Sequence, residues 1–155
     1  MKLTPRKFEE VSSLGYSIFT CPLESWTYMK CLVIEFRGEC GYGSNSNGDA
    51  AFMTGIIKAA DSIWHSAGLI LDLRQLKYKW GDEMVKAIGA LGSCRVKDSY
   101  MPFPTAIIVS DLNRNGLTSL AKAEMQVDPT ELLFDDIETA LSAVDRKAQQ
   151  IYGRP

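Results

Sequence analysis

Acidic side chains at the predicted carboxyl ends of strands are the residues best placed for chemistry in this chain. They are Asp72, Asp82, Glu83 and Asp111. Ligands of α/β sheets usually bind at this edge, where two carboxylates can hold Mg²⁺ or act as acid and base. No phosphate-binding motif accompanies these residues, and Asp82 and Asp111 suit caps or turns equally well. The pattern therefore favours structural roles over a catalytic set.

Histidine and cysteine chemistry is less favoured. His65 is the only histidine, and it falls at the end of a predicted helix, where a protonated imidazole stabilises the helix dipole. The four cysteines, Cys21, Cys31, Cys40 and Cys94, contain no C-x-x-C pair. We therefore predict no catalytic residues, no metal site and no cofactor.

The segment 41–49, GYGSNSNGD, is glycine-rich and precedes a predicted helix. Such a loop could present backbone N–H groups to an anion, but it has neither the dinucleotide-binding nor the P-loop spacing. Its composition is typical of a flexible surface loop, and Tyr42, Asn45 and Asn47 are residue types that protein-binding loops use. We therefore predict that these three residues contact a partner.

The segment RQLKYKWGDE places cations beside aromatic residues at the end of a predicted strand. An alternation of period two puts Arg74, Leu76, Tyr78 and Trp80 on one face, and Gln75, Lys77 and Lys79 on the other. Tyr and Trp beside lysines are typical of a protein-binding hot spot. The predicted contact residues of this turn are Lys77, Tyr78, Lys79, Trp80, Asp82 and Glu83.

Composition sets the class of protein. The chain has 155 residues, 46% hydrophobic and 23% charged, which predicts one globular domain over 1–155. A net charge of −2 does not imply the basic face of a nucleic-acid-binding protein. No apolar run reaches the ~20 residues of a membrane span, and the first residues lack a secretory pattern. We therefore expect a cytoplasmic protein that binds neither nucleic acid nor membrane.

Hydrophobic periodicity predicts the elements that position these residues. Strands are predicted at 16–21, 29–37, 69–73, 105–110 and, briefly, 131–134. Helices are predicted from 50 to 65, from an Asp82 N-cap to about 92, from 117 to 125, and from a cap at Asp135 or Asp136 to about 152. The order predicts an α/β fold: one mixed, mostly parallel sheet of four to five strands, an antiparallel edge hairpin and about four helices on one or both faces.

Three stretches give the chain a resemblance to the STAS domains, the fold of bacterial anti-sigma-factor antagonists and of the cytosolic tails of sulfate transporters. LVIEFRGE resembles the second strand of that family, GLILDLRQLKY its strand with Asp-Leu, and LLFDDIETALSAV its closing helix. The resemblance covers most of 29–144 and implies a STAS-like topology.

The departure from the family lies in the turn after the third strand. Antagonists of that family carry Asp-Ser-Ser-Gly there, and a serine at the helix N-terminus accepts phosphate. This chain has Trp80, Gly81 and Asp82 at that place. Since the family's phospho-acceptor serine is missing, the resemblance implies a member without this switch.

We therefore predict a non-catalytic domain that binds a partner protein and inhibits or neutralises it by covering its surface. A toxin-immunity protein and an anti-sigma-antagonist-like protein both fit, and the partner and the oligomeric state stay open. The alternative is a small α/β enzyme, crotonase-like or nucleotide-using, with Asp72, Asp82 and Asp111 in its site. A deep apolar pocket with convergent carboxylates would favour the enzyme, and a flat aromatic-rich surface would favour the binder.

Overall fold

The protein is described by a computed structural model over residues 1–42 and 47–153. Its centre is a five-stranded sheet in the order β1-β2-β3-β6-β7. β1 runs antiparallel to β2, and the other neighbours are parallel. The predicted α/β class, the mostly parallel sheet and its antiparallel edge hairpin are confirmed. The strands are β1 Gly15–Pro22, β2 Lys30–Glu39, β3 Gly68–Lys77, β4 Ser93–Val96, β5 Ser99–Pro102, β6 Thr105–Ile108 and β7 Leu133–Phe134.

Helices cover both faces of the sheet. Within the described ranges the α-helices are α1 Asn47–Trp64, α2 Met84–Ile88, α3 Arg114–Leu120, α4 Pro129–Leu132 and α5 Ile137–Tyr152; a 3-10 helix spans Phe8–Glu10, and a π-helix, Ala121–Met125, continues α3. One core cluster includes Leu71 of β3 and Met53 of α1. The other includes Ile70 of β3 and Val144 of α5. Parallel strands that are apolar on both sides need cover on both faces, which explains this arrangement.

A β-bulge in β3 changes which residues face the core. The pairing passes from Glu35 opposite Asp72 to Arg37 opposite Gln75, so β3 advances one residue more than β2. One extra residue reverses the alternation of side chains beyond that point. Leu73 and Leu76 are consequently both buried, whereas Arg74 is exposed. The predicted common face is therefore wrong for Arg74 and Trp80, which are exposed, whereas Leu76 and Tyr78 are both buried in one core cluster.

The start of α2 also differs from the prediction. Asp82 is not the N-cap, since that position is Glu83, which has helical dihedrals and makes no side-chain capping bond. The backbone carbonyl of Asp82 accepts from the Val85 N–H at 3.1 Å, so Asp82 belongs to the preceding turn. The helix ends at Ile88 rather than near Gly92 because the chain turns toward the next hairpin there.

Two further elements depart from the sequence pattern. β4 and β5 form a separate antiparallel hairpin that no strong turn signal announced, and its turn holds Lys97 at φ +54°. The first half of the strand predicted at 131–134 belongs to helix α4, which Asp128 caps by accepting from the Thr130 N–H. Only Leu133 and Phe134 form the strand. The cap of α5 is confirmed as Asp136, which accepts from the Thr139 N–H at 2.8 Å.

Candidate protein-contact surface

An aromatic stack joins the loop after β2 to the turn after β3. The rings of Tyr42 and Trp80 lie 6.1 Å apart between centroids, with planes 21° from parallel. Trp80 remains 58% exposed. The stack brings together two segments that the sequence predicted separately as contact sites. We name these residues the Trp80 surface: Tyr42, Lys77, Lys79, Trp80, Asp82 and Glu83.

Charged groups of both signs surround the stack. Lys77 and the hydroxyl of Tyr42 both approach Glu39 Oε1, at 3.4 Å each. Glu83 pairs with Lys86 at 2.5 Å. Exposed ion pairs of this kind contribute little to stability, so these groups stay available to a partner. Glu39, at the end of β2, was not among the contact residues predicted from the sequence.

The remaining predicted contact residues take different positions. Lys79 and Asp82 are exposed on the turn, and Asn47 is exposed at the first residue of α1. Asn45 lies outside the described residues. The described part of the loop is held at its base by buried Asp49, which accepts from Ser12 Oγ at 2.6 Å and from the Gly41 N–H at 2.8 Å.

Tyr78 supports the turn from inside. Its side chain is buried, and its hydroxyl donates to the Gly81 carbonyl at 2.7 Å. Burial, followed by the nearby Cys40 and Asp82, raises the pKa of Tyr78 to about 12. The hydroxyl therefore stays protonated and keeps its donor role. The prediction that Tyr78 contacts a partner is corrected, because the bulge in β3 turns this side chain into the core.

Asn113 supports the end of β3 from the other side. β6 pairs with β3 only as far as Asp72 opposite Ile108. Beyond that point the Asn113 amide donates to the carbonyls of Leu73 and Leu76, at 2.5 and 2.8 Å. Asn113 is 2% exposed, and it thus satisfies carbonyls that have lost their neighbouring strand. The residues between the predicted strand at 105–110 and the predicted helix at 117–125 carry no local pattern that indicates this role.

Helix α3 packs directly under the same turn. A Cβ atom placed on Gly116 would lie 2.4 Å from the Lys79 carbonyl oxygen and 3.0 Å from the ring of Tyr78. The Tyr78 N–H also donates to the Leu112 carbonyl at 3.2 Å. Glycine at position 116 is therefore what allows the helix to approach the backbone so closely. The Trp80 surface consequently rests on a rigid base.

The carboxylates of the enzyme alternative differ in their exposure. Asp72 is nearly buried and is bound by Arg74, whose Nε and Nη2 donate at 2.9 and 2.6 Å. Asp82 and Asp111 are exposed. Within residues 1–42 and 47–153, no group of three His, Cys, Asp or Glu side chains could hold a metal ion.

A cavity of about 510 Å³ lies at the opposite, N-terminal edge of the parallel strands. Its walls come from α2, the β4-β5 hairpin, the π-helix and the end of α5. Glu131 is the one acidic side chain among its lining residues. The deep apolar pocket and the carboxylates that the enzyme alternative requires are therefore in different places.

Comparisons with other proteins add no family to this description. Neither the models of known protein families nor the curated proteins contain a match to this sequence. The resemblance to STAS domains thus depends on the three stretches quoted above and stays a hypothesis. Among the described residues, none of the helices has the length and apolar character that spanning a membrane requires.

Proposed function

We propose that this chain is a non-catalytic protein-interaction domain of STAS-like topology that acts in the cytoplasm by binding a partner protein and inhibiting or neutralising it. The Trp80 surface is the contact site. The observation that carries the proposal is the stack of Tyr42 on Trp80, because it presents an exposed indole at the junction of two segments.

Aromatic anchors dominate the energetics of many protein interfaces, and a polar rim surrounds them. Trp80 supplies the anchor, while Lys77, Lys79 and Asp82 supply the rim. The hydrogen bonds of Tyr78 and Asn113 hold the turn in one shape, so binding costs little conformational entropy. Lys79, which is exposed on the turn, favours an acidic patch opposite it on the partner.

The chain would inhibit its partner constitutively, without a phosphorylation switch. The turn 78–83 contains no serine or threonine, and the hydroxyl of Tyr78 is buried. Phosphorylation at this turn, which would add charge and alter partner binding, therefore has no acceptor. A binder that is permanently active suits the role of a toxin-immunity protein better than the role of a switched antagonist.

Affinity capture tests the proposal. The tagged chain is used to purify partners from extracts of its native cell, in parallel with Trp80→Ala, Lys79→Glu and Tyr28→Ala. Tyr28 is 77% exposed and lies between β1 and β2, so Tyr28→Ala is a matched control for the loss of an exposed aromatic ring.

A stoichiometric partner should bind the unmodified chain and Tyr28→Ala, and should be lost with Trp80→Ala. Loss of one anchor of this kind typically weakens a complex by ~2 kcal/mol or more. Lys79→Glu should weaken binding mainly at low salt, since the partner patch is acidic. A partner that is retained by Trp80→Ala and Lys79→Glu alike would show that the contact site is elsewhere.

A further inference from the structure

The cavity at the N-terminal edge of the strands has a shape and lining suited to a small ligand. Its volume of about 510 Å³ is within the ordinary range of ligand pockets. The lining is mainly aliphatic and aromatic, and includes Ile88, Phe103, Met125, Val127, Leu132 and Ile151. Such a lining takes up an apolar group but gives it no orientation.

Orientation would come from two cations on the same side of the cavity. Lys147 and Arg146 both line it from α5. The Lys147 ammonium donates to the carbonyls of Thr105 and Glu131, at 2.7 and 2.8 Å. Those bonds fix its position and use two of its three donors. Burial lowers the pKa of Lys147, because protein atoms replace water around the charge.

The wall opposite α5 has an uncommon backbone. The π-helix ends at Met125 and is followed by Gln126, which has φ +54°. The Val127 N–H donates to the Ala121 carbonyl at 2.9 Å. This turn places Met125 and Val127 on the cavity. Single π-turns within helices occur frequently at functional sites.

We propose that this cavity binds a small amphipathic monocarboxylate, with its aliphatic or aromatic tail in the apolar part and its carboxylate between Lys147 and Arg146. The lining carries two cations and one carboxylate, Glu131, so it favours a ligand of one negative charge. A nucleotide with several phosphates would lack partners for its charge. The site lies at the opposite edge from the Trp80 surface and does not depend on the function proposed for that surface.

Isothermal titration calorimetry on the full chain tests the proposal with decanoate, decanol and decylamine below their aggregation limits. Decanoate should bind at one site per chain and at least about tenfold more tightly than decanol, since a charged hydrogen bond contributes about that much. Decylamine should bind least. Equal affinity for decanoate and decanol, or no binding of decanoate, would overturn the proposal.

Variants locate the site. Arg146→Gln removes an exposed cation and should weaken decanoate about tenfold without affecting decanol. Lys58→Gln removes an exposed cation on α1 and should leave both affinities unchanged, because Lys58 does not line the cavity. An equal effect of the two changes would mean that the carboxylate responds only to net charge.

A structural readout complements the affinities. Methyl NMR of the unmodified chain should show decanoate-dependent shifts at Met125, Val127 and Ile151. The exposed methyl groups of Ile63 should not shift. Met101→Trp should occupy the cavity and abolish decanoate binding in a protein whose remaining methyl spectrum is native. Shifts that spread to Ile63, or binding that persists in folded Met101→Trp, would place the ligand elsewhere.

Discussion

The two edges of the parallel strands present opposite kinds of surface. At the C-terminal edge, β3 extends past the end of β6 and carries an exposed indole outward. At the N-terminal edge, the β4-β5 hairpin and the end of α5 surround a cavity. The exposed surface forms where β3 extends beyond β6. The cavity forms where the β4-β5 hairpin and the end of α5 extend beyond the sheet. One sheet thus carries an exposed aromatic surface at one edge and an apolar pocket at the other.

The turn that carries Trp80 and helix α5 are held in place by different chemistry. At the C-terminal edge, the neutral amide of Asn113 and the hydroxyl of Tyr78 donate to backbone carbonyls. At the N-terminal edge, Asp145 of α5 is a buried carboxylate that accepts from Ser25 and Gln149. Neutral hydrogen bonds are insensitive to pH in the acid range, whereas a buried carboxylate is not. The turn and α5 should therefore respond differently to mutation and to acid.

The largest effect is expected for Asn113→Ala at the C-terminal edge. The change leaves the carbonyls of Leu73 and Leu76 buried without their donor, which should lower the free energy of unfolding by about 3 kcal/mol. Urea denaturation measures it. Asn115→Ala, an exposed position on the same helix, is the control and should change stability little. Equal stability of the two variants would mean that the end of β3 does not need Asn113.

Gly116→Ala should have the next largest effect. The added methyl group meets the Lys79 carbonyl, so either α3 or the turn must move, at a cost of about 2 kcal/mol. Thermal unfolding measures the change. Gly55→Ala is the control, because a Cβ there meets nothing within 4 Å and alanine favours a helix by about 1 kcal/mol. The melting temperature should fall in Gly116→Ala and rise in Gly55→Ala. A stabilised Gly116→Ala would contradict the close packing.

Tyr78→Phe should have a smaller effect. The variant keeps the buried ring but loses the hydrogen bond to the Gly81 carbonyl, which should cost about 1 kcal/mol. The turn that carries Trp80 should also become more mobile, and amide hydrogen exchange across 78–83 measures that. Unchanged exchange in the variant would show that the hydroxyl does not fix the turn.

The smallest expected effect is the loss of stability in acid that comes from Asp145. Burial raises the pKa of Asp145, but the hydrogen bonds from Ser25 and Gln149 outweigh it and hold the pKa below its usual range. A folded pKa below the unfolded value stabilises the protein above the unfolded pKa of about 4. That contribution is lost as the pH falls through the folded pKa.

Denaturation between neutral pH and about pH 2 measures this loss. Asp145→Asn should be less stable at neutral pH and should show a weaker acid dependence than the unmodified chain. The same acid dependence in Asp145→Asn would assign the effect to other carboxylates.

Much of the fold could be predicted because it depends on local patterns. The apolar runs in β2, β3 and β6 and the Asp136 cap of α5 are readable from neighbouring residues alone. The β4-β5 hairpin was missed because its turn, Lys97-Asp98, contains no glycine or asparagine. Only the second half of the strand predicted at 131–134 forms, because Asp128 followed by Pro129 starts a helix that runs to Leu132.

The candidate site was likewise predicted only in part. The residue types in 78–83 and in the loop before α1 indicated a contact surface. The sequence could not reveal the bulge, because it depends on how β3 pairs with β2. That bulge buries Tyr78 and so removes it from the predicted contact set. Asn113 was missed for the same reason, since its role exists only where β6 stops short of β3.

The sequence by itself determined the class of the fold, the helix and strand segments with strong periodicity, and the lack of serine and threonine in the turn 78–83. These properties belong to single residues or to short stretches. Only the tertiary structure decided that Tyr42 stacks on Trp80, that Tyr78 faces inward, and that a cavity opens beside Lys147. Each of these depends on packing between segments far apart in the chain, which local pattern does not encode.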